Sequence, residues 1–239
     1  METEDKDNGL LLLCFETSAK ACSAALHDGE RLLGEAYQNT DLTHSQTLMV
    51  MAEDLLKQCG KTAADVTALA VAAGPGSFTG VRIGISAAKG FGWGADLPCY
   101  GVSTLEAMAR SLGAWQGYVL GVMDAQRAQV YSGLFHADHG EYARVMEDSA
   151  ISLEDLKGIL QEYSEPIFLV GDGSILCYNT LSESIPTLVL PPEHRMHQRA
   201  SGVALAALEK IRQGEPGDGI TLTPNYLRLS QAERERLLS

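Results

Sequence analysis

The segment LLLLCFETSAKACSAALHDGERLLGEAYQ, Leu10 to Gln38, holds the pattern that decides the fold. An apolar run, Leu10 to Phe15, closes on an acid, Glu16, and a small polar turn leads into a second run, Cys22 to His27. Asp28-Gly29 comes next, and between apolar runs this pair predicts a tight type I′ hairpin, because that turn needs positive φ at both central residues. A third strand is expected from Arg31 to Gln38. The segment YVLGVMDAQRAQVYSGLFHADHGEYARVMED, Tyr118 to Asp148, repeats the plan of strand, terminal acid (Asp124), polar turn, strand, turn and strand.

The elements after each triplet also repeat. After the first, a helix is expected from Thr43 to Cys59, with Thr43 at the N-cap, Gln46 three residues on as in a capping box, and Gly60 as the stop. Then come a strand over Ala68 to Ala73, a helix over Thr79 to Gly94, a short strand near Cys99 and a helix over Ser103 to Leu112. After the second triplet the same order reads as a helix capped by Ser152 and running to about Gln161, a strand (Pro166 to Gly171), a helix (Ser174 to Ser182), a strand (Thr187 to Leu190) and an Ala/Leu-rich helix (Arg199 to Arg212). This order resembles the actin, Hsp70 and sugar-kinase superfamily, an α/β, duplicated, ribonuclease H-like fold whose two lobes flank a nucleotide cleft. The expected division is an N-terminal lobe over 1–102, with a frayed tail over 1–8, and a C-terminal lobe over 103–239, with a tail from about 214.

Composition narrows the function. The chain has 239 residues, enough for two lobes with real cores at 45% hydrophobic content. Its apolar run near the start is far too short to span a membrane, and the acidic METEDKD before it is opposite in sign to a signal peptide, so a soluble cytoplasmic protein is expected. Five cysteines without a CxxC pair suggest neither a disulfide framework nor a zinc ribbon. A net charge of −13 argues against autonomous nucleic-acid binding, which draws most of its affinity from clustered Lys and Arg on phosphates.

In the superfamily that the element order resembles, the turn after the first strand of each lobe touches phosphate, with an Asp for the metal shell and a Gly for close backbone approach. Here those turns are ETSAKA and DAQRAQ. Neither holds a glycine, the first acid is Glu16, and side chains at Ser18 and Ala19 crowd the place. Arg127 remains able to meet an anion, and VGDGS, Val170 to Ser174, keeps the glycines of an adenosine turn. Glu16, Thr17, Ser18, Asp124, Gly171 and Gly173 are therefore expected to form a vestigial nucleotide site, with no cofactor. AAGPGSFTGVRIG, Ala72 to Gly84, fails as a P-loop, since five residues separate Gly74 from Gly80 and Val81 stands where Lys belongs. Ser77 lacks the G-x-S-x-G setting of a nucleophile and suits a helix cap. His136/His139 and His194/His197 are spaced three apart in turns, without the paired-histidine helix of a metal site.

The helix after these glycines offers a surface instead. Gly80, Gly84, Ala88 and Gly92 recur every four residues and are expected to clear a smooth ridge for a partner helix, flanked by an apolar row of Ile83, Ala87 and Phe91. On the preceding helix Leu48, Met51, Ala52 and Leu55 form the core stripe, while Met49, Val50 and Leu56 widen it toward adaptable partner contacts; periodicity alone fits equally well with both helices buried within one thick domain.

The strings GPGSFTGVRIGISAAKGF and GVSTLEAMA, with ETSAKACSAAL, HSQTLM, DAQRAQVY and PNYLRLSQAER, resemble the signature of the TsaB (YeaZ) family over nearly the whole chain. The resemblance implies a two-lobed subunit without catalytic activity that binds a TsaD-type catalytic subunit. With a TsaE-type ATPase, that pair modifies the adenosine beside the anticodon in tRNAs reading codons that begin with A, so this chain would meet tRNA only indirectly. It also implies docking on TsaD, or pairing as a homodimer, through the first-lobe helices. The interface expected here comprises Leu48, Met49, Met51, Ala52, Leu55, Leu56, Gly80, Ile83, Gly84, Ala87, Ala88 and Phe91. The paired metal histidines of the catalytic paralogue are not matched, because His44 stands alone in its helix. The competing readings are an ATP-dependent transferase or ATPase and, from an older label for the family, a glycoprotease-like metallopeptidase.

Overall fold

The computed structural model describes residues 9–40, 42–113, 116–126 and 128–228. The tail expected over 1–8, Arg127 and the chain from 229 lie outside the described residues. The first half runs β1 (Leu12–Glu16), β2 (Cys22–His27), β3 (Leu32–Gln38), α1 (His44–Gln58), β4 (Ala68–Ala72), α2 (Phe78–Ala95), β5 (Cys99–Val102) and α3 (Thr104–Ser111). The second runs β6 (Gly117–Asp124), β7 (Gln129–Asp138), β8 (Glu141–Ser152), α4 (Leu153–Leu160), β9 (Ile167–Val170), α5 (Ser174–Leu181), β10 (Leu188–Val189) and α6 (Ala200–Arg212). Strand order is β3-β2-β1-β4-β5 in one sheet and, strand for strand, β8-β7-β6-β9-β10 in the other. In each, the hairpin strands pair antiparallel and the crossover strands parallel. This duplication is the actin/Hsp70-like two-lobe fold.

The central strands are buried on both faces, as parallel strands between helical layers must be. Along β1, alternate side chains go to opposite sides. Leu13 and Phe15 join Leu48, Leu55, Val81 and Ile85 of α1 and α2, whereas Leu12 and Cys14 join Val203, Ala204 and Ala207 of α6. In the second sheet Leu120 and Leu169 pack with Leu156 and Leu181 of α4 and α5, while Val119 and Val170 pack with Leu105 and Met108 of α3. The helix that closes each half therefore lies on the other half's sheet. α3 and α6 meet between the lobes, where a Cβ on Gly202 would stand 2.1 Å from the Ala107 carbonyl oxygen. No helix among the described residues is long and apolar enough to cross a membrane.

Two local expectations are corrected. The Asp28-Gly29 turn is not type I′: only Gly29 has positive φ (96°), and β3 begins at Leu32. Asp28 Oδ1 accepts the N–H groups of Glu30 (3.1 Å) and Arg31 (2.9 Å), and this bonding organises a wider loop. Thr43 stands at the N-cap of α1, but its side chain makes no cap bond; its carbonyl accepts the Gln46 N–H at 3.0 Å instead. Ser77, Ser103 and Ser152 do cap, accepting from Gly80, Glu106 and Asp155.

Candidate partner interface and interlobe cleft

A cleft of about 580 Å³ opens between the lobes, lined on one side by Ser18, Lys20 and Ser77 and on the other by Asp124 and Asp172. The turn after β1 is tied to its neighbours rather than left open. Ser18 N–H donates to Glu16 Oε1 (2.6 Å), Thr17 Oγ1 to the Gly80 carbonyl (2.7 Å), and Ser77 N–H to the Ser18 carbonyl (2.6 Å). His44 Nε2 donates to the Ala19 carbonyl at 2.7 Å; a carbonyl only accepts, so Nε2 carries the proton. His44 is thus a brace between α1 and the first turn. Glu16 is fully buried, its Oε2 has no hydrogen-bond partner, and burial pushes its carboxyl up to about 7 against the opposing bonds from Ser18.

The second lobe's acids are held differently. Asp124 is exposed and turns back on its own backbone, accepting the Gln126 N–H at 2.7 Å. Asp172 faces the cleft and accepts from Gln198 Nε2 at 3.2 Å; protein crowding its carboxylate raises its pKa, with the Asp124 charge adding to the rise. Gly171 and Gly173, read from the sequence as remnants of an adenosine turn, serve the protein's own packing. A Cβ on Gly171 would lie 2.1 Å from the Val122 oxygen, and one on Gly173 would lie 3.0 Å from the Met123 carbonyl carbon.

The glycine ridge of α2 also faces inward, which corrects the expectation of a ridge cleared for a partner. A Cβ on Gly80 would stand 2.1 Å from the Thr17 oxygen, on Gly84 2.5 Å from Thr17 Oγ1, and on Gly92 2.5 Å from Cys99 Sγ. Ala88 is fully buried in the same contact. Leu48, Ala52, Leu55 and Leu56 are likewise buried in the first lobe's core. The physical reason is shared: α1 and α2 each present their strongest apolar or smoothest stripe to the sheet, where most area is removed from water. Met51, Ile83, Ala87 and Phe91 are half-buried, and Met49 is 44% exposed. Between the two helices runs a groove of about 500 Å³ floored by Leu48, Ile83 and Ala87 and bordered by Met49 and Arg82.

The segment from Ile220 to Arg228 straps the edge of this region. Lys89 Nζ donates to the Ile220 and Leu222 carbonyls (both 3.1 Å), and Asn225 N–H to the Ala73 carbonyl (2.7 Å). Tyr226 stacks on Phe78 with centroids 4.8 Å apart, and Arg228 Nη1 donates across the cleft to the Ala125 carbonyl at 2.5 Å.

Known proteins match this chain over nearly its full length. The family model for "TsaD: tRNA N6-adenosine threonylcarbamoyltransferase" matches residues 37–235. The "tRNA threonylcarbamoyladenosine biosynthesis protein TsaB" of Bacillus subtilis is 32% identical over 225 residues, 94% of this chain and 96% of that one. This chain belongs to the TsaB family. The TsaB of Escherichia coli is 37% identical over 172 residues, covering 68% of this chain and 71% of its own. A Pseudomonas aeruginosa crystal structure, described as an uncharacterized protein with similarity to peptidase YEAZ, superposes with a TM-score of 0.80 at 28% identity, covering 92% of this chain and 100% of that one. Among the described residues of this TsaB-family chain, no group of three or more His, Cys, Asp or Glu side chains is placed to hold a metal ion.

Sequence reasoning missed the aromatic and cationic rim of the groove. Phe78 and Arg82 are four apart on α2, the spacing that puts two side chains on one helix face, and that signal was present in the sequence. Tyr226 completes the cluster from 144 residues away, and no local pattern reports such a contact.

Proposed function

We propose that this chain is a non-catalytic subunit that binds and activates a TsaD-type threonylcarbamoyltransferase making N6-threonylcarbamoyladenosine beside the anticodon of tRNAs. The observation that carries the reading is the TsaB likeness over 94% of this chain joined to a first-lobe turn bonded to the protein's own glycine loop, where a phosphate-binding relative would keep backbone free. Docking is assigned to the α1/α2 groove, through Met49, Ile83 and Ala87, with the half-buried Met51 and Phe91 beside it on the same helices; the buried members of the expected interface support those residues from behind. The same groove serves self-pairing when the partner is absent. A TsaE-type ATPase joins the assembly, which works in the cytoplasm. With a net charge of −13 on this chain, the other subunits hold the tRNA.

Met49→Asp places a charge in the groove without touching the core. Affinity for the TsaD-type subunit encoded in the same genome, measured by calorimetry, is expected to fall by at least about tenfold. Wild-type affinity in that variant would remove this groove from the interface.

A further inference from the structure

We propose that Arg82 is the charged anchor of the docking groove, pre-oriented by Phe78 and the strap residue Tyr226 to receive a carboxylate of the TsaD-type partner. The inference rests on the docking reading above and adds the chemistry that the partner must bring. The chain carries 31 acidic against 18 basic side chains, so a guanidinium is readily neutralised within it. Arg31, Arg110, Arg144 and Arg199 each pair with a carboxylate at 3.3 Å or less. Arg82, like Arg195, Arg212 and Arg228, has no carboxylate within the 4.0 Å of an ion pair among the described residues; what marks it is its place, exposed at the groove's border.

It is nevertheless held. Its guanidinium carbon sits 3.8 Å from the Phe78 ring centroid, and Nε donates to the Tyr226 hydroxyl at 2.6 Å. Tyr226 lies flat beside Phe78 at an interplanar angle of 21°, so the strap fixes both the ring and the hydroxyl that orient the arginine. With Nε occupied, the two terminal nitrogens keep their N–H donors for a ligand, in the fork that matches a carboxylate. A cation already ordered against aromatic rings loses little side-chain freedom when it is bound. An apolar groove without an acidic residue in its lining, bordered by an ordered cation that no described carboxylate pairs, selects a protein surface that joins an apolar ridge to a carboxylate. A second copy of this chain and a phosphate-bearing ligand are the other occupants that the test separates.

The full-length chain is titrated by calorimetry with the TsaD-type subunit at low and high salt, as wild type, Arg82→Gln, Tyr226→Phe and Met49→Asp. Arg82→Gln is expected to weaken binding about tenfold or more and to flatten the salt dependence. Tyr226→Phe keeps the ring stack, loses the orienting bond, and is expected to weaken binding about threefold with an unchanged melting temperature. Three results overturn the proposal: wild-type affinity in Arg82→Gln while Met49→Asp loses binding; weakened binding with the wild-type salt slope, which assigns Arg82 a packing role; or an Arg82→Gln effect confined to self-association or to binding of inorganic phosphate. If Met49→Asp also binds normally, the docking reading itself has failed.

Discussion

Glu16 shows how a side chain that looks ordinary in sequence becomes unusual in the fold. It closes β1 beside Thr17 and Ser18, a composition that reads as a solvated turn, yet all three are fully buried under α2. Its carboxyl titrates near 7 rather than at the usual 4.5, chiefly because burial disfavours the ion. Below about 4.5 both folded and unfolded forms hold the proton and the group contributes nothing. Between there and 7 the unfolded chain has released a proton that the folded chain keeps, so stability falls as pH rises, and above 7 the full cost is present, on the order of 3 kcal/mol. Glu16→Gln keeps the acceptor for the Ser18 N–H and removes the ion. Urea unfolding should show a gain on the order of 1–3 kcal/mol at about pH 8 that disappears near pH 4.5; an equal difference at both values would refute the account. The acid was legible in the sequence. Its burial was not, because the cover comes from Gly80 and Ser77, more than sixty residues on.

Helix α2 carries the contrast between a pattern and its use. The four-residue glycine spacing was readable, and so was the conclusion that something approaches closely, since each interior glycine costs helix stability. Which neighbour approaches was not, because periodicity defines a face and leaves its direction open. The face turns to β1, β4 and β5, so Gly84→Leu and Ala88→Leu would report on folding rather than on partner binding. Gly80→Ala drives a Cβ to 2.1 Å from a backbone oxygen that cannot rotate away, and should cost about 1–3 kcal/mol or more. Gly90 lies on the same helix, and a Cβ added there would meet nothing within 4 Å, so Gly90→Ala should gain about 0.5–1 kcal/mol. Opposite shifts in melting temperature are the expected outcome, and equal shifts would show that the ridge is not in contact with the sheet. The Asp28-Gly29 loop teaches the same lesson: the turn was where the sequence put it, but an Asp carboxylate with two backbone N–H groups in reach reshaped it.

The two halves are not independent bodies, because the helix following each sheet crosses to the other. Residues 1–102 alone would lack α6 and leave Leu12, Cys14, Ala70 and Ala72 without their cover. That fragment is expected to show no cooperative thermal transition and to bind a hydrophobic dye; a sharp two-state melt would refute the exchange as a folding requirement. Strand alternation, helix periodicity and the repeated terminal acids made the element order and the duplicated architecture legible, since each follows from backbone geometry and the side chains within a few residues. The exchange of α3 and α6, the inward turn of the glycine ridge, and the clustering of Phe78, Arg82 and Tyr226 belong to the folded chain alone. They are contacts between segments far apart in sequence, chosen by which packing removes most apolar area from water while leaving no backbone group unpaired, and no local stretch encodes that choice.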